Sequence, residues 1–384
     1  MDRAGLMKLV RATGCAEERG AHVFLCDPSW GANERAHLET LIKNAGLSDA
    51  TVAKGWLCLP TGGTSGGVRF ACHDEATLTA AAEGFRKRFG LGRVNAVDVL
   101  PPFHVSGLMA RVRCAASEGS HVQWEWKRLE AGQRPAIDGD NWVISLVPTQ
   151  LQRLLTSIDA VDWLRRFQII FVGGGPTWPA LVDAAANHRL RLSLSYGMTE
   201  TAAMVAALTP EEFLGGARSC GSALSHATIS IAESGGIVVC GESVFRGYFP
   251  DMRGSRVFAT DDLGRLDEHG HLHVLGRRDA VIITGGEKVN PLEVEDTLRA
   301  TGEFADIAIV GVADNEWGQI VIACYPAGER TPRLSVVEEA ISNRLAGFKR
   351  PKRYVAITDW PRNAQGKLNR VALERTVRAG SRAD

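Results

Sequence analysis

Buried strands that stop at proline or glycine recur along the first half of this chain. Residues 96–100 form an apolar run that stops at Pro101-Pro102, and residues 141–147 form a second run. Residues 167–172 are continuously apolar and lead into Gly173-Gly-Gly-Pro176. Strands that are buried on both faces and alternate with helices are typical of parallel sheets. The pattern therefore predicts a domain built from α/β layers.

The pattern changes twice further along the chain. Short alternating strands and glycine turns in residues 210–277 predict a small β-rich subdomain. From about Asp279 onward, strands and helices alternate again, which predicts a compact α+β domain. We expect a large N-terminal domain over residues 1–277 and a small C-terminal cap domain over residues 278–384.

Composition and charge restrict the partners. The 384 residues include 44 Lys and Arg and 44 Asp and Glu, so the formal net charge is zero. A broad nucleic-acid surface needs a basic excess, so we expect no nucleic-acid partner. No apolar run approaches the roughly 18 residues of a membrane-spanning helix, and the charged N-terminus shows no signal-peptide core. The eight cysteines form no CxxC pair, which indicates a reduced, cytoplasmic protein; homo-oligomer formation stays open.

A glycine- and hydroxyl-rich loop, Thr61-Gly-Gly-Thr-Ser-Gly-Gly67, lies between a strand and a helix predicted over residues 75–89. Glycines let backbone N–H groups approach phosphate oxygens, and the hydroxyls add donors. The lysine that ends a Walker A loop is missing, and Arg69 is the nearest cation. The candidate phosphate-binding residues are Thr61, Gly62, Gly63, Thr64, Ser65, Gly66 and Arg69. A flexible surface turn is the alternative.

Two further candidates follow predicted strands, where open α/β sheets bind ligands. His104 lies in Pro101-Pro-Phe-His-Val-Ser-Gly107, and a structural role is its alternative. The glycines Gly173, Gly174 and Gly175 with Pro176 would let a ligand lie flat on the backbone. They do not match GxGxxG, which disfavours a dinucleotide site, and a tight turn is their alternative.

The segment Ser195-Tyr-Gly-Met-Thr-Glu200 concentrates chemically useful groups. Tyr196 could stack on a purine, Thr199 could bind a phosphate, and Glu200 could hold Mg²⁺. A helix start capped by Thr199 or Glu200 is the alternative. The candidate residues are Ser195, Tyr196, Gly197, Met198, Thr199 and Glu200.

Polar groups in the second half are weaker signals. Asp262 and Arg277 could fix the hydroxyls of a ribose, although acidic turns are common. Residues 264–274 predict a hairpin that turns near His269-Gly270. His269, His271 and His273 alternate but lack an evident fourth ligand, so we expect a structural role. Lys367, in Pro361-Arg-Asn-Ala-Gln-Gly-Lys367, could neutralise a carboxylate and a phosphate together, with a solvated surface lysine as the alternative.

Together these motifs resemble the adenylate-forming superfamily of acyl-CoA ligases, luciferases and peptide-synthetase adenylation domains. Residues 61–69 are similar to T-S-G-T-T-G-x-P-K, with Val68 and Arg69 in place of Pro and Lys. Residues 196–200 match Y-G-x-T-E, residues 260–262 resemble T-G-D with Asp261 in place of Gly, and residues 361–367 match P-R-x-x-x-G-K.

The resemblance implies a role for each candidate. Thr61, Thr64 and Ser65 would hold pyrophosphate, and residues 173–176 with Ser195 and Tyr196 would frame the adenine and acyl pocket. Thr199 and Glu200 would contact phosphate and Mg²⁺, and Asp262 and Arg277 would bind ribose. Asp279 would be the hinge, Lys367 the adenylation lysine, and His104 the junction of acyl group and pantetheine. Gly285 and Gly286 would line the coenzyme A tunnel.

The implied activity is ATP-dependent ligation of coenzyme A to a carboxylic acid through an acyl-adenylate. The phosphate loop, the Pro-Phe-His-Val-Ser-Gly-Leu segment and the short length resemble most the branch that acts on 2-succinylbenzoate in menaquinone and phylloquinone biosynthesis. The implied ligands are ATP, Mg²⁺ and coenzyme A. A ligase for another acid, or a non-catalytic binding protein of the same fold, are the alternatives.

Overall fold

The computed structural model describes residues 2–45, 55–62, 68–252, 254–328, 331–362 and 368–380. The chain divides into two compact units. The first comprises Met1–Thr177, Leu181–Thr260 and Arg265–His273, and the second comprises Trp178–Ala180, Asp261–Gly264 and Val274–Asp384. The domain boundary at residues 277–279 stays a prediction.

Within the described residues the strands are β1 (Ala16–Arg19), β2 (His22–Leu25), β3 (Leu57–Gly62), β4 (Val68–His73), β5 (Asn95–Asp98), β6 (His121–Gln123), β7 (Trp142–Leu146), β8 (Ile169–Val172), β9 (Leu192–Met198), β10 (Ala203–Ala207), β11 (Ser222–Ala223), β12 (Ala227–Ile231), β13 (Gly236–Gly241), β14 (Gly247–Tyr248), β15 (Asp251–Met252), β16 (Val257–Leu266), β17 (Leu272–Arg277), β18 (Ile282–Thr284), β19 (Glu287–Val289), β20 (Ala308–Asp314), β21 (Gly318–Pro326) and β22 (Arg353–Ile357). The helices are α1 (Arg3–Arg11), α2 (Ala32–Asn44), α3 (Glu75–Phe89), α4 (Val105–Ala116), α5 (Trp126–Glu130), α6 (Pro148–Leu154), α7 (Ile158–Leu164), α8 (Pro179–Asn187), α9 (Pro210–Leu214), α10 (Pro291–Arg299), α11 (Leu334–Ser342) and α12 (Arg370–Gly380).

Two larger sheets form the body of the first unit. One has the strand order β11-β10-β9-β8-β7-β5-β6, and the pairs among β5, β6, β7, β8 and β9 are parallel. The other has the order β1-β2-β3-β4-β14-β15, with β3 antiparallel to β4 and β4 antiparallel to β14. The parallel layers predicted from the apolar runs are confirmed.

Local sequence signals explain why several elements begin and end where they do. The side chain of Asp74 accepts a hydrogen bond from the backbone N–H of Thr77 at 3.0 Å and so caps α3. Gly90 ends the same helix in the left-handed conformation, with φ of 63°. The helix predicted over residues 75–89 is therefore confirmed at both ends.

A smaller sheet of order β12-β13-β16-β17 contains the predicted hairpin. Its turn is held by the Asp267 carboxylate, which accepts hydrogen bonds from the N–H groups of His269 and His271 at 3.0 and 2.9 Å. The same carboxylate contacts His273 Nε2 at 2.9 Å. Asp267 and the three histidines therefore hold the turn together. Among the described residues, no group of three His, Cys, Asp or Glu side chains could hold a metal ion.

The second unit has its own sheet and core. The sheet order is β19-β18-β21-β20, and β22 pairs with β21 in parallel. Val294 and Leu298 of α10 pack with Ile309 and Val321 of the sheet in one apolar cluster. A large α/β domain with a β-rich part, followed by a small α+β domain, is the architecture that we predicted, and it is confirmed.

The cysteines and the helices bear on two further predictions. All eight cysteines are free thiols. In the part of the chain that the structure describes, no helix has the length and apolar character needed to cross a bilayer.

Candidate active site

The candidate site centres on a single 3₁₀ turn, Thr199–Thr201, between β9 and β10. The Thr201 hydroxyl closes the turn by accepting a hydrogen bond from the Met198 N–H at 3.1 Å. The next two residues, Ala202 and Ala203, have φ of 52° and 75°. This left-handed conformation costs roughly 1–2 kcal/mol per non-glycine residue, so tertiary contacts must hold the turn in place.

Three side chains from the β3-β4-β14 part of the neighbouring sheet supply those contacts. Thr61 Oγ1 donates to Glu200 Oε1 at 3.3 Å, and the Tyr248 hydroxyl donates to the same oxygen at 2.7 Å. His73 Nε2 contacts the carbonyl oxygen of Thr199 at 2.7 Å. Burial lowers the pKa of His73 from 6.5 to about 4. The ring is therefore neutral at pH 7, and its Nε2–H donates to the carbonyl.

Strand alternation explains why these side chains meet the turn. Thr61 lies directly opposite Arg69 in the β3–β4 ladder, and Tyr248 lies opposite Ala71. Arg69, Ala71 and His73 are two residues apart, so their side chains share one face of the sheet. Cross-strand partners share a face as well, which places Thr61 and Tyr248 with them. One face of this sheet therefore carries the side chains that hold Thr199 and Glu200.

The opposite face of the same strands is apolar. Cys58 and Cys72 are cross-strand partners with their sulfur atoms 3.5 Å apart, and they pack in a cluster with Phe24, Phe70 and Phe249. A register change of one residue would exchange the two faces. The apolar cluster therefore fixes which side chains reach Glu200.

The Glu200 carboxylate fits a hard divalent cation. Its residue is 6% exposed, and both side-chain hydrogen bonds fall on Oε1. Among the described residues, no hydrogen bond is made to Oε2. Magnesium prefers oxygen ligands and is bound through one or two carboxylates together with substrate phosphates. An oriented carboxylate with one oxygen uncommitted suits that role.

The parallel strands bring other candidates to one edge of the seven-stranded sheet. His104 precedes α4 just after β5, the residues 173–176 follow β8, and Ser195–Met198 ends β9. Because these strands are parallel, their carboxyl ends share an edge. The His104 ring packs beside Phe103, with centroids 4.5 Å apart. Gly174 has a φ of 76°, which suits glycine.

Tyr196 and the adjacent Gly197 are both packed tightly. The Tyr196 ring belongs to an apolar cluster with Val205, and its hydroxyl lies 3.5 Å from Thr260 Oγ1. A Cβ at Gly197 would lie 1.9 Å from the carbonyl oxygen of Ala203. Tyr196 is 8% exposed, so stacking of its ring on a purine stays a prediction.

The remaining predicted residues that the structure describes belong to the second unit. Arg277 donates twice to Asp279, at 2.8 Å each, and lies 3.6 Å from Asp262 and 3.5 Å from Asp261. The hydrogen bond from Arg277 holds the pKa of Asp279 below its usual value. The predicted ribose and hinge residues are therefore joined in one ion-pair network.

Gly285 and Gly286 form the two-residue turn of the β18–β19 hairpin. Their φ values are 57° and 83°, as the twist of a tight hairpin requires. Five predicted residues lie outside the described residues, namely Gly63, Thr64, Ser65, Gly66 and Lys367. The described residues on either side of segment 363–367, Arg362 and Leu368, pair with each other in an antiparallel bridge.

Comparison with known proteins places this geometry in a family. Residues 56–249 match the family model described as AMP-binding enzyme, and residues 293–367 match the AMP-binding enzyme C-terminal domain. The chain belongs to the AMP-binding enzyme family. The resemblance inferred from the motifs is confirmed at that level.

Individual members of the AMP-binding family give closer comparisons. The chain is 33% identical over 282 residues to a 2-succinylbenzoate–CoA ligase of Listeria innocua serovar 6a, covering 72% of this chain and 60% of that protein. An o-succinylbenzoate CoA synthetase of Bacillus subtilis, solved with the acyl-adenylate intermediate OSB-AMP, is 27% identical with a TM-score of 0.71. The match covers 83% of this chain and 68% of that one. The same enzyme solved with ATP and a magnesium ion is 26% identical, with a TM-score of 0.69 and coverage of 81% and 68%.

The motifs identified in the sequence do not include every residue that holds the Thr199–Thr201 turn. His73 and Tyr248 both contact it, and neither stood out in the sequence. Tyr248 is 48 residues from Glu200 along the chain, and His73 is 126 residues from Thr199. Only the order of strands in the sheet brings them together. The one sequence feature that links them to the site is the alternation of side chains along the strands, which places them on the same face as Thr61 and Arg69.

Proposed function

We propose that this chain is an AMP-forming acid–thiol ligase that joins coenzyme A to a carboxylic acid, with 2-succinylbenzoate as the acid. The observation that carries the proposal is the Glu200 carboxylate, held by a hydroxyl from β3, the strand that leads into the glycine-rich loop. The names of the relatives support the choice of acid. The chain spans 60% of the length of the Listeria innocua relative, so the activity of the whole protein is part of this proposal.

The reaction has two steps. A carboxylate oxygen of the acid attacks the α-phosphorus of ATP, pyrophosphate leaves, and a mixed anhydride with AMP forms. The sulfur of coenzyme A then attacks the acyl carbon, AMP leaves, and the thiol proton is released. Bound magnesium would neutralise phosphate charge during the first step.

The residues of this chain bind and orient the reactants in that scheme. Thr61 and Tyr248 fix the Glu200 carboxylate, which would ligate magnesium, and Arg69 would add positive charge. Asp262 and Arg277 would bind ribose, and Gly285 and Gly286 would line the path of coenzyme A. Lys367 would draw the carboxylate and the α-phosphate together, which lowers the barrier through positioning and charge neutralisation. Rotation of the C-terminal domain about Asp279 would then withdraw Lys367 before the thiol arrives.

The first test is pyrophosphate release with ATP, Mg²⁺ and a panel of carboxylic acids. We expect 2-succinylbenzoate to give the highest kcat/KM, and thioester to appear only when coenzyme A is added. A different preferred acid would replace the substrate and keep the reaction class. Binding of ATP without pyrophosphate release for any acid would contradict the proposal and favour a non-catalytic protein.

Lys367→Ala separates the two steps. We expect this variant to lose acyl-adenylate formation by about 100-fold or more, because a preorganised charge at the reacting centre is removed. Thioester formation from supplied acyl-adenylate should stay close to wild type. Lys87→Ala, on the exposed side of α3, is the matched control. Equal loss in both steps would count against withdrawal of the lysine.

A further inference from the structure

The Tyr248 ring lies between two charged groups of the candidate nucleotide site. Its hydroxyl donates to Glu200 Oε1 at 2.7 Å, and the Arg69 guanidinium carbon lies 4.3 Å from the centre of its ring. An aromatic ring attracts a cation at its face, and a phenol hydroxyl is a good donor to a carboxylate. One side chain therefore contacts both the candidate magnesium ligand and the candidate phosphate cation.

The fold leaves this tyrosine little freedom to lie elsewhere. β14 pairs with β4 at Ala71, and the Phe249 N–H donates to the Phe70 carbonyl at 2.8 Å. The Phe245 N–H donates to the Glu200 carbonyl at 2.8 Å, and the rings of Phe245 and Tyr248 lie 4.8 Å apart. Backbone hydrogen bonds just before and just after Tyr248 in the chain thus fix its position relative to Glu200.

Arg69 is an exposed residue, and contact with the Tyr248 ring supports its guanidinium. Among the residues that the structure describes, no carboxylate forms an ion pair with Arg69. Its guanidinium carbon lies over the ring face, and the guanidinium carries a planar fork of N–H donors. Those donors match phosphate oxygens, which a guanidinium can bind through two N–H groups. An arginine already held over a ring also loses less rotamer freedom when an anion binds.

We infer that Tyr248 is a positioning residue of the nucleotide site, which orients the Glu200 carboxylate through its hydroxyl and the Arg69 guanidinium through its ring. The inference rests on the proposed function, because it assigns the two groups to magnesium and to the phosphates of ATP. It predicts that the hydroxyl and the ring make separable contributions.

Three variants separate these contributions. Tyr248→Phe keeps the ring and removes the hydroxyl, so the Mg²⁺ concentration for half-maximal pyrophosphate release should rise about tenfold, as expected for a lost hydrogen bond to a charged group. Saturating Mg²⁺ should restore kcat, and the KM for ATP should stay near wild type. Arg69→Gln should raise the KM for ATP about tenfold and leave the Mg²⁺ midpoint unchanged. Tyr248→Leu should show both defects.

The controls exclude a general loss of structure. Tyr325→Phe, at a partly buried position that packs against the core of the second unit, is the matched removal of a phenol hydroxyl and should leave both parameters unchanged. Thermal unfolding of each variant checks its folding. An unchanged Mg²⁺ midpoint in Tyr248→Phe, or an unchanged KM for ATP in Tyr248→Leu, would overturn the inference.

A calorimetric titration of each protein with ATP at several Mg²⁺ concentrations separates this inference from the proposed function. The titration needs no turnover. A wild-type protein that binds Mg·ATP and releases no pyrophosphate would refute the ligase, whereas the Tyr248→Phe shift would still report positioning. If the affinity of Tyr248→Phe for Mg·ATP is unchanged at every Mg²⁺ concentration, the inference fails whatever the activity of the wild type.

Discussion

Gly197 lies where β9 approaches β10 too closely for a side chain. A Cβ there would lie 1.9 Å from the Ala203 carbonyl oxygen and 2.7 Å from Met204 Cα, and both are backbone atoms. Backbone cannot move aside as a side chain can. The residue therefore sets the spacing of the two strands that carry the Thr199–Thr201 turn.

We expect Gly197→Ala to lower the free energy of unfolding by about 3 kcal/mol, the upper part of the usual range for overpacking. Displacement of the turn should also weaken Mg²⁺-dependent ATP binding. Urea unfolding and calorimetry measure the two effects. Gly92→Ala, where a Cβ would meet open space, is the control and should change stability by less than about 0.5 kcal/mol. Similar values for both variants would contradict the close approach.

At the level of single residues, sequence patterns identify reactive groups better than they identify their supports. Thr61 and Glu200 stand out as hydroxyl and carboxylate in family-like motifs, and the structure brings them within 3.3 Å across 139 positions of sequence. His73 and Tyr248 lie outside the motifs identified in the sequence. Their function depends on which strand lies beside which, and that is decided by packing of whole sheets.

At the scale of elements, the β18–β19 hairpin depends on a turn in which both residues have positive φ. Gly286 has a φ of 83° with open space around a hypothetical Cβ, whereas at Gly285 that atom would lie 2.9 Å from the Trp317 ring. The cost of a side chain at Gly286 is therefore purely conformational. At Gly285 a steric cost is added.

Gly286→Ala should lower the free energy of unfolding of the second unit by about 1 kcal/mol, and Gly285→Ala by more. Gly286→Asn should be milder than Gly286→Ala, because asparagine tolerates the left-handed conformation. Urea unfolding followed by tryptophan fluorescence tests the order, with Gly347→Ala as the control, where a Cβ would meet open space. A larger loss for asparagine than for alanine would be inconsistent with this turn geometry.

Elements with clear local signals were predictable, and their pairing was not. Asp74 and Gly90 mark the ends of α3, so the helix could be predicted to the residue. The strand order β1-β2-β3-β4-β14-β15 joins segments that are far apart in sequence, and no local pattern encodes that order. The site depends on the pairing of β4 with β14, which explains why part of it was missed.

At the scale of the whole molecule, buried histidines make stability depend on pH, His73 and His226 among them. Burial lowers the pKa of both His73 and His226 from 6.5 to about 4. Between these values the unfolded chain binds protons that the folded chain does not. Stability is therefore fully present above pH 6.5 and declines as the pH falls toward 4.

At pH 5 each of these histidines should cost about 2 kcal/mol relative to pH 7. Urea unfolding at the two pH values should show a smaller difference for His73→Gln and for His226→Gln than for the wild type. His269→Gln, at an exposed turn position, is the control and should behave as the wild type does. A loss of stability on acidification that is equal in all four proteins would refute this assignment.

The Glu200 carboxylate accepts hydrogen bonds from residues that are 139 and 48 positions away in the sequence. Those residues belong to one large sheet, whereas Glu200 follows a strand of the other. A chain in which only one of the two sheets has formed therefore cannot orient this carboxylate. Mg²⁺-dependent nucleotide binding would then begin only when the first unit has finished folding. ATP binding during synthesis or refolding would therefore report when that unit is complete.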